Sequence, residues 1–386
     1  MRLSSNISIS RKKFAVFFLA FSVSLACLGS SPCACAQSVA ASSSISRNES
    51  DASIKQAQRI CQEILGRGIP GLAAAAAIDG KIVWSEGFGY ADLEERVPVW
   101  PTTRFRIGSI SKTLTATALV QLVEQGKLDL DAPVQKYVPS FPDKGAKITP
   151  RLLAGHLAGI RHYKGDEFFI PKHYVNVVDS LKIFQDDPLV APPGTKFNYS
   201  SYGFNLLSAV IQSASGEDFL AYMNEHVFGP LGLLETVPDQ NAQIIEQRTR
   251  FYDREKDHPL ENAVYVDNSY KWAGGGFLSS VEDLVRFGSA LLHPGFLKAN
   301  SLALLFTSQR TNDGKETGYG IGWFIAKAQS GQRIYEHAGG SVGGRSQLII
   351  YPDSGFVVAL ATNLSDAPFQ REDVEKIGEA FLRKMK

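Results

Sequence analysis

A serine and a lysine three residues apart stand at the start of a predicted helix, in segment 106–113 with the sequence RIGSISKT. Residues at this spacing share one face of a helix, and the amino end of a helix favours negative charge on a nearby oxygen. Ser109 is therefore a candidate nucleophile, with Lys112 holding its proton network in place. The spacing alone is weak evidence, because Ser10 and Lys13 repeat it. Ser109 differs in that it follows a strand-like run and opens an apolar-periodic helix.

A tyrosine lies just ahead of a second predicted helix, in the loop PPGTKFNYSS at 192–201. Its phenol can point across a cleft towards the nucleophile. Because the pKa of free tyrosine is about 10, Tyr199 needs a lysine charge nearby to act as a base near neutrality, and Lys112 is the candidate for that charge. The alternative is a turn tyrosine whose ring packs on the core.

A glycine-rich tetrapeptide, HAGG at 337–340, ends a predicted strand. Residues two apart in a strand face the same way, so we expect His337 and Gly339 both to face the cleft, where Gly339 lets a substrate lie close. The backbone N–H groups of Gly340 and Ser109 are the predicted oxyanion hole.

Elements from both ends of the chain have to position these residues. Strand-like runs at 72–78 and 82–87 flank an Asp-Gly dipeptide, which is typical of a tight hairpin. Helical spacing of apolar residues prevails from about 109 to 305, and a strand meander follows at 320–362 before a last helix. We therefore predict an α+β fold, an α/β sandwich. Its antiparallel sheet comes from both termini and is flanked by helices, and a mostly helical lobe is inserted.

Two lobes with a cleft between them follow from this arrangement. The sheet lobe is expected at about 51–108 and 310–386, and the helical lobe at about 109–309. A cleft between two lobes is the default place for a ligand site.

Composition and charge exclude several classes of protein. Of the 386 residues, 44% are hydrophobic and 20% are charged, which excludes a disordered chain or a coiled coil. The 40 basic and 39 acidic residues leave no basic excess of the kind that neutralises phosphates, so we predict no nucleic-acid partner.

Residues 1–36 have the three-part layout of a secretory signal peptide. A basic start precedes an apolar run at 14–28, which is short for a membrane span, and a small-x-small sequence ends at Ala36. We therefore predict export to the periplasm or the medium, with a linker at 37–50 and a hydrolase domain at 51–386. A mitochondrial presequence and a lipid anchor on a leader cysteine are the alternatives.

In this order, the three motifs resemble those of the serine beta-lactamase and penicillin-binding-protein superfamily. They are most similar to class C beta-lactamases, to family esterases and D-amino peptidases, and to mitochondrial beta-lactamase-like serine proteases. Supporting phrases are LLAGHLAGIRHY at 152–163, GGGFLSS at 274–280 and GYGIGW at 318–323. The resemblance covers about residues 55–385. It implies a beta-lactamase/transpeptidase-like fold and an acyl-enzyme mechanism.

The resemblance also assigns the residues their roles and shows two departures. It implies that Ser109 attacks a carbonyl while Lys112 and Tyr199 move the proton. Ser201 stands where the family has the asparagine of Tyr-x-Asn, and a neutral imidazole, His337, replaces the lysine of Lys-Thr-Gly. Both changes weaken the case for efficient beta-lactam hydrolysis, so esterase or peptidase activity is expected at least as much. Arg345 is the candidate for a compensating cation, and the implied substrate-binding residues are Ser201, His337, Gly339 and Arg345.

We therefore predict an exported serine hydrolase that cleaves amide or ester bonds in small-molecule or peptide substrates. Peptidoglycan-derived peptides and beta-lactams belong to this group. The alternative is a penicillin-binding or peptidoglycan-sensing module, or a structural protein, with little turnover. No cofactor is expected, and the sequence does not indicate an oligomeric state. No metal site is expected either, since the seven histidines include no His-Glu-x-x-His, and His156 and His162 match no zinc motif.

The sequence GGSVG at 339–343 matches the nucleophile elbow of α/β-hydrolases. That elbow requires a helix directly after its serine, whereas 347–351 reads as a strand. We therefore do not assign Ser341 as the nucleophile.

Overall fold

The computed structural model describes residues 47–255 and 258–383. The predicted leader at 1–36 and most of the predicted linker at 37–50 lie outside these residues. The first helix begins at Arg47, so the last four positions of that linker are helical.

Ten α-helices and twelve strands are formed within the described residues. The helices are α1 (Arg47–Leu65), α2 (Ser111–Glu124), α3 (Pro150–Ala154), α4 (Val177–Ser180), α5 (Ser201–Ser215), α6 (Phe219–Met223), α7 (Trp272–Gly275), α8 (Val281–Ala290), α9 (Ala299–Phe306) and α10 (Arg371–Leu382). The strands are β1 (Gly71–Ile78), β2 (Lys81–Asp92), β3 (Val97–Pro98), β4 (Phe105–Arg106), β5 (Val237–Pro238), β6 (Tyr252–Asp253), β7 (Glu261–Asn262), β8 (Phe277–Ser279), β9 (Phe324–Lys327), β10 (Arg333–Ser341), β11 (Gly344–Tyr351) and β12 (Phe356–Thr362). Among these helices, none has both the length and the apolar character needed to cross a membrane.

Seven strands form one antiparallel sheet in the order β3-β2-β1-β12-β11-β10-β9. Strand β1 pairs with β12, with Ala75 opposite Ala359, so the two ends of the fold meet in the middle of the sheet. Positive φ angles of 46° at Asp79 and 80° at Gly80 form the tight turn between β1 and β2. The predicted α+β fold, with a sheet built from both ends of the chain, is confirmed.

Helices cover both faces of this sheet. The face that carries Leu360 packs against α1 and α10, where the free thiol of Cys61 is buried. The opposite face packs against α8, and a Cβ built on Gly288 of that helix would lie 2.7 Å from Cγ1 of Val357. A run of alanines at 73–77 in β1 keeps the centre of the sheet thin, so that both helical layers approach closely.

Helices α2 to α9 lie between the two sets of strands in the sequence, together with a small sheet of β4, β8 and β5. The strand predicted at 320–326 is largely irregular, since β9 begins only at Phe324. The reason is local: Gly322 has a φ of 80°, and a Cβ on Gly320 would lie 2.0 Å from the carbonyl oxygen of Leu305. These glycines serve close packing in place of strand pairing.

The close approach of α8 to the sheet predicts an unusual response to an alanine. A glycine-to-alanine change inside a helix ordinarily stabilises a protein by about 0.5–1 kcal/mol. We expect Gly288→Ala to lower the free energy of unfolding by about 1–3 kcal/mol, because the new Cβ overlaps Val357. Denaturant unfolding would measure this change. Gly295→Ala is the control, since its Cβ would meet no atom within 4 Å, and a more stable Gly288→Ala protein would contradict the expectation.

Candidate active site

Ser109 lies in a short 3-10 turn, Gly108–Ile110, that leads directly into α2. Gly108 has a φ of 49°, and a Cβ at this position would lie 2.5 Å from the carbonyl oxygen of Gly340. The turn therefore contacts β10 backbone to backbone, which brings Ser109 beside the predicted oxyanion residue. The hydroxyl of Ser346 on β11 donates to the carbonyl of Ile107 at 2.9 Å and ties the same turn to the sheet.

The amine of Lys112 is buried at the centre of the site. Its Nζ lies 2.9 Å from Oγ of Ser109, 3.0 Å from Oγ of Ser201 and 2.5 Å from the carbonyl oxygen of Gly274. Burial lowers the pKa of Lys112 well below its usual value, and the nearby charge of Lys271 lowers it further. A neutral amine has two N–H donors and one lone pair. It can therefore donate to Gly274 and Ser201 while its lone pair accepts the Ser109 proton.

Tyr199 packs over this amine, with the centre of its ring 4.9 Å from Nζ of Lys112. Burial raises the pKa of Tyr199 above its usual value, and the contact with Ser109 lowers it by a smaller amount. The expected lowering of the tyrosine pKa by a lysine charge is therefore not found, because burial outweighs the other effects on Tyr199. Tyr199 stands in the site as a phenol.

Two histidines hold the backbone that carries Tyr199. The N–H of Ser200 donates to Nδ1 of His156 at 3.1 Å, and the N–H of Ser201 donates to Nδ1 of His162 at 3.2 Å. Burial lowers the pKa of His162 to about 4, with a smaller effect of Lys112, so this imidazole is neutral at pH 7. Both rings accept at Nδ1, which places their proton on Nε2.

His337 and Gly339 do not face the cleft, contrary to our prediction. The buried ring of His337 places Nε2 3.2 Å from the hydroxyl of Tyr319, and burial lowers its pKa to about 3, so it is neutral. A Cβ on Gly339 would lie 1.9 Å from the carbonyl oxygen of Ile107. This face of β10 therefore packs on the turn that carries Ser109. The glycine is needed there for the protein's own backbone and not for a substrate.

Arg345 also points away from the site. Its guanidinium donates to the carbonyl of Ala367 at 2.8 Å and lies 4.9 Å from the ring of Phe369. It therefore does not supply the compensating cation.

Gly340 presents its backbone on the free edge of β10. Hydrogen-bonded and non-hydrogen-bonded pairs alternate along an antiparallel ladder. Ser341 and Gly344 close the two-residue turn, so the next pair, Gly340 with Arg345, is a non-hydrogen-bonded one. The N–H of Gly340 therefore points away from β11, and β9 pairs with β10 only as far as Glu336. This N–H lies beside the turn of Ser109, as an oxyanion hole requires.

Ser109 lines a cavity of about 370 Å³. Two residues of the predicted motifs, Ser201 and Gly340, line it, and so do Ser341 and Gly275. Ser341 ends β10 and a two-residue turn leads to β11, so it lacks the strand-turn-helix geometry of a nucleophile elbow.

The sequence motifs did not predict the other residues that line this cavity. They include the side chains of His162, Tyr163, Phe168, Phe169 and Lys271. A lysine in a polar stretch ordinarily indicates an exposed residue. The position of Lys271 in the sequence could have indicated its place in the site, because it comes just before the GGG phrase, which packs beside Gly108.

One arginine holds the aromatic wall in place. Arg161 forms ion pairs with Glu167 at 2.6 Å and with Asp187 at 2.5 Å. The hydroxyl of Tyr202 donates to the Glu167 carboxylate at 2.9 Å, and that of Tyr270 donates to its backbone carbonyl at 2.7 Å. The segment that carries Tyr163 to Phe169 is thereby attached to α5 and to the turn before α7.

Comparison with protein families matches residues 56–380 to the family described as Beta-lactamase. The human protein named serine beta-lactamase-like protein LACTB, mitochondrial, is 37% identical over 380 residues, which covers 74% of this chain and 69% of that protein.

Two solved structures have a similar fold. The octameric penicillin-binding protein homologue from Pyrococcus abyssi superposes with a TM-score of 0.73 at 27% identity, over 85% of this chain and 77% of that one. A D-stereospecific amidohydrolase from Streptomyces sp. gives a TM-score of 0.71 at 26% identity, over 85% of this chain and 98% of that one. The resemblance inferred from the three motifs is confirmed.

The contact between β10 and the turn of Ser109 can be tested with neighbouring glycines. We expect Gly339→Ala to lower the free energy of unfolding by about 1–3 kcal/mol or more, because its Cβ overlaps the carbonyl oxygen of Ile107. Gly340→Ala should leave stability unchanged, since its Cβ meets no atom within 4 Å. Thermal unfolding of both variants would measure the difference, and equal melting temperatures would show that the contact is not tight.

Proposed function

Because the chain belongs to the Beta-lactamase family, we propose that it is a serine hydrolase that cleaves ester or amide bonds through an acyl-enzyme on Ser109. One observation carries this proposal: a buried amine, Lys112, contacts the hydroxyls of Ser109 and Ser201 at the wall of a cavity. The proposed substrates are small molecules or peptides. The Streptomyces neighbour, which is named an amidohydrolase, supports amides among them.

In the acylation step, Oγ of Ser109 forms a bond to the substrate carbonyl carbon while Lys112 accepts its proton. Because burial lowers the pKa of Lys112 well below its usual value, a larger fraction of this amine is unprotonated near neutral pH than in an exposed lysine. Its contacts with Gly274 and Ser201 fix the direction of the lone pair. The N–H groups of Ser109 and Gly340 stabilise the negative charge on the carbonyl oxygen, and losing one such donor typically costs a rate factor of about a hundred or more.

Tyr199 is proposed to connect Lys112 with the leaving group. As a phenol it donates its proton to the departing oxygen or nitrogen while it receives one from the Lys112 ammonium. Water then attacks the acyl carbon, and its proton passes by the same path to Lys112. The ammonium finally returns a proton to Oγ of Ser109 as the acyl bond breaks, which restores the starting state.

Esters and peptides are proposed as better substrates than beta-lactams. The family's third motif supplies a cation, whereas His337 is neutral and buried here. Arg345 donates to Ala367 and leaves that place without a positive charge. The second candidate function, a penicillin-binding or sensing module, requires the same acylation with slow release of the acyl group. Acyl-enzyme lifetimes therefore separate the two functions.

A fluorophosphonate probe tests the nucleophile. We expect label on Ser109 by peptide mapping, no label in Ser109→Ala, and unchanged labelling in Ser330→Ala, which alters an exposed turn. Lys112→Met should slow labelling by about a hundredfold or more, because the proton acceptor is lost. The rate of labelling should reach its plateau at a pH well below the usual pKa of a lysine, about 10.4, because burial lowers the pKa of Lys112. Label on Ser341, or a labelling rate that keeps rising with pH as far as the usual pKa of a lysine, would overturn the assignment.

The destination of the chain is a separate proposal. The human relative is named a mitochondrial protein, and this weighs against our prediction of export. We keep export as the proposal because the apolar run at 14–28 is continuous. Residues 1–36 fused to a reporter that is active only outside the bacterial cytoplasm should give activity, and Leu19→Arg in the apolar run should abolish it. Import of the same fusion into isolated mitochondria, without bacterial export, would reverse the proposal.

A further inference from the structure

The cavity beside Ser109 contains a second buried lysine, which the proposed mechanism does not use. Lys271 ends the short turn before α7, and its side chain is only 2% exposed. Its Nζ makes one long hydrogen bond, 3.4 Å to the carbonyl oxygen of Phe168. The ring centres of Phe168 and Tyr270 lie 4.2 and 5.0 Å from the same nitrogen. Aromatic faces thus surround an amine that lines the cavity.

No carboxylate of the described residues forms an ion pair with Lys271. Asp239, the acid whose charge acts on it, is already bound by Arg106 at 2.7 Å and by the amide of Asn268 at 2.7 Å. Arg248 also contacts this aspartate. A buried ammonium without a counter-ion is unfavourable, so an anion bound in the cavity would stabilise the charged form of Lys271.

A second observation points to a polar ligand in the same cavity. The side chain of Ser341 is 5% exposed, and its Oγ has no hydrogen-bond partner among the described residues. Buried hydroxyls in folded proteins are nearly always paired. Ser341 lines the cavity together with Lys271, so a ligand there can satisfy both groups.

We propose that Lys271 binds a carboxylate of the substrate, and that the enzyme therefore selects acyl compounds that carry a carboxylate besides the scissile bond. This proposal rests on the proposed hydrolase function and names its substrate class. The aromatic rings of Phe168 and Tyr163 flank the apolar part of such a substrate, since both line the cavity next to the ammonium.

Binding of an anion by Lys271 has to depend on pH in a defined direction. Burial and the charge of Arg106 lower the pKa of Lys271 to about 7, against a smaller opposing effect of Asp239. A bound carboxylate favours the ammonium and raises this pKa in the complex. Affinity is then highest below about pH 7 and falls as pH rises through and above it, with proton uptake on binding in that range.

The test compares two activated esters that differ in one charge, the mono-p-nitrophenyl ester of glutarate and its methyl ester. We expect kcat/KM to favour the anionic ester by about tenfold to a hundredfold at about pH 6, and the preference to fade towards about pH 9. Lys271→Met should remove the preference through a raised KM for the anionic ester. The preference is read as the ratio of kcat/KM for the two esters, because loss of the Lys271 charge also changes the pKa of Lys112 and so affects both esters. Lys271→Arg should restore part of the preference, and Lys315→Met, an exposed lysine, should change nothing.

An equal preference in the folded wild-type and Lys271→Met proteins would overturn the proposal. An equal loss of kcat/KM for both esters in Lys271→Met would also overturn the proposal, because this result would show that Lys271 acts through Lys112 or through folding.

A binding measurement separates this proposal from the hydrolase function. Calorimetric titration of Ser109→Ala protein with glutarate needs no turnover. Proton uptake is read from the dependence of the heat on the buffer. If glutarate binds to Ser109→Ala but not to Ser109→Ala/Lys271→Met, the result supports the proposal about Lys271. A wild-type protein that hydrolyses neither ester would count against the hydrolase function only. Absent binding, or binding with no proton uptake near about pH 7, would overturn it.

Discussion

The contact between the turn that carries Ser109 and the end of β10, beyond the part that pairs with β9, is the constraint on which the site depends. Two backbone segments approach so closely that neither Gly108 nor Gly339 can carry a side chain. One contact fixes the positions of Ser109, of the Gly340 N–H and of the start of α2, and so the position of Lys112. Because it joins residues more than two hundred positions apart, the site forms only when distant parts of the chain have packed together. The seven-stranded sheet and its two helical layers hold both partners rigid.

Burial of the ionisable groups in the site determines their pKa values. In water, a lysine, a tyrosine and three histidines would titrate over a wide range of pH. Here desolvation lowers the pKa of Lys112 and of the three histidines, His156, His162 and His337, and raises the pKa of Tyr199. Burial therefore brings the pKa of the lysine and the pKa of the tyrosine into the opposite order from the one they have in water. Lys271 differs from the others because it lies among aromatic rings at the wall of a cavity, where a bound ligand can change its pKa.

The sequence was sufficient for the fold and for the local motifs, since hydrophobic periodicity and turn residues report on short-range structure. It placed Ser109 next to Lys112 because both lie within one turn of a helix. It failed at His337 and Gly339 because the alternation of a strand tells which residues share a face, not which face is buried. Lys271 and the aromatic wall were missed for a related reason: long-range packing decides whether a lysine is exposed. The positions predicted best are thus those whose neighbours are close in sequence.

Pairing of the first strand with the last has a consequence for how the protein is made. During synthesis β1 and β2 emerge early, yet their central partner β12 ends only at Thr362, close to the end of the domain. A ribosome must therefore complete nearly the whole chain before the sheet can close and before β10 can meet the serine turn. Throughout elongation, Ser109 therefore lacks the contact with β10 that completes the site. High contact order, which slows folding, here delays the appearance of a reactive nucleophile until the chain is released.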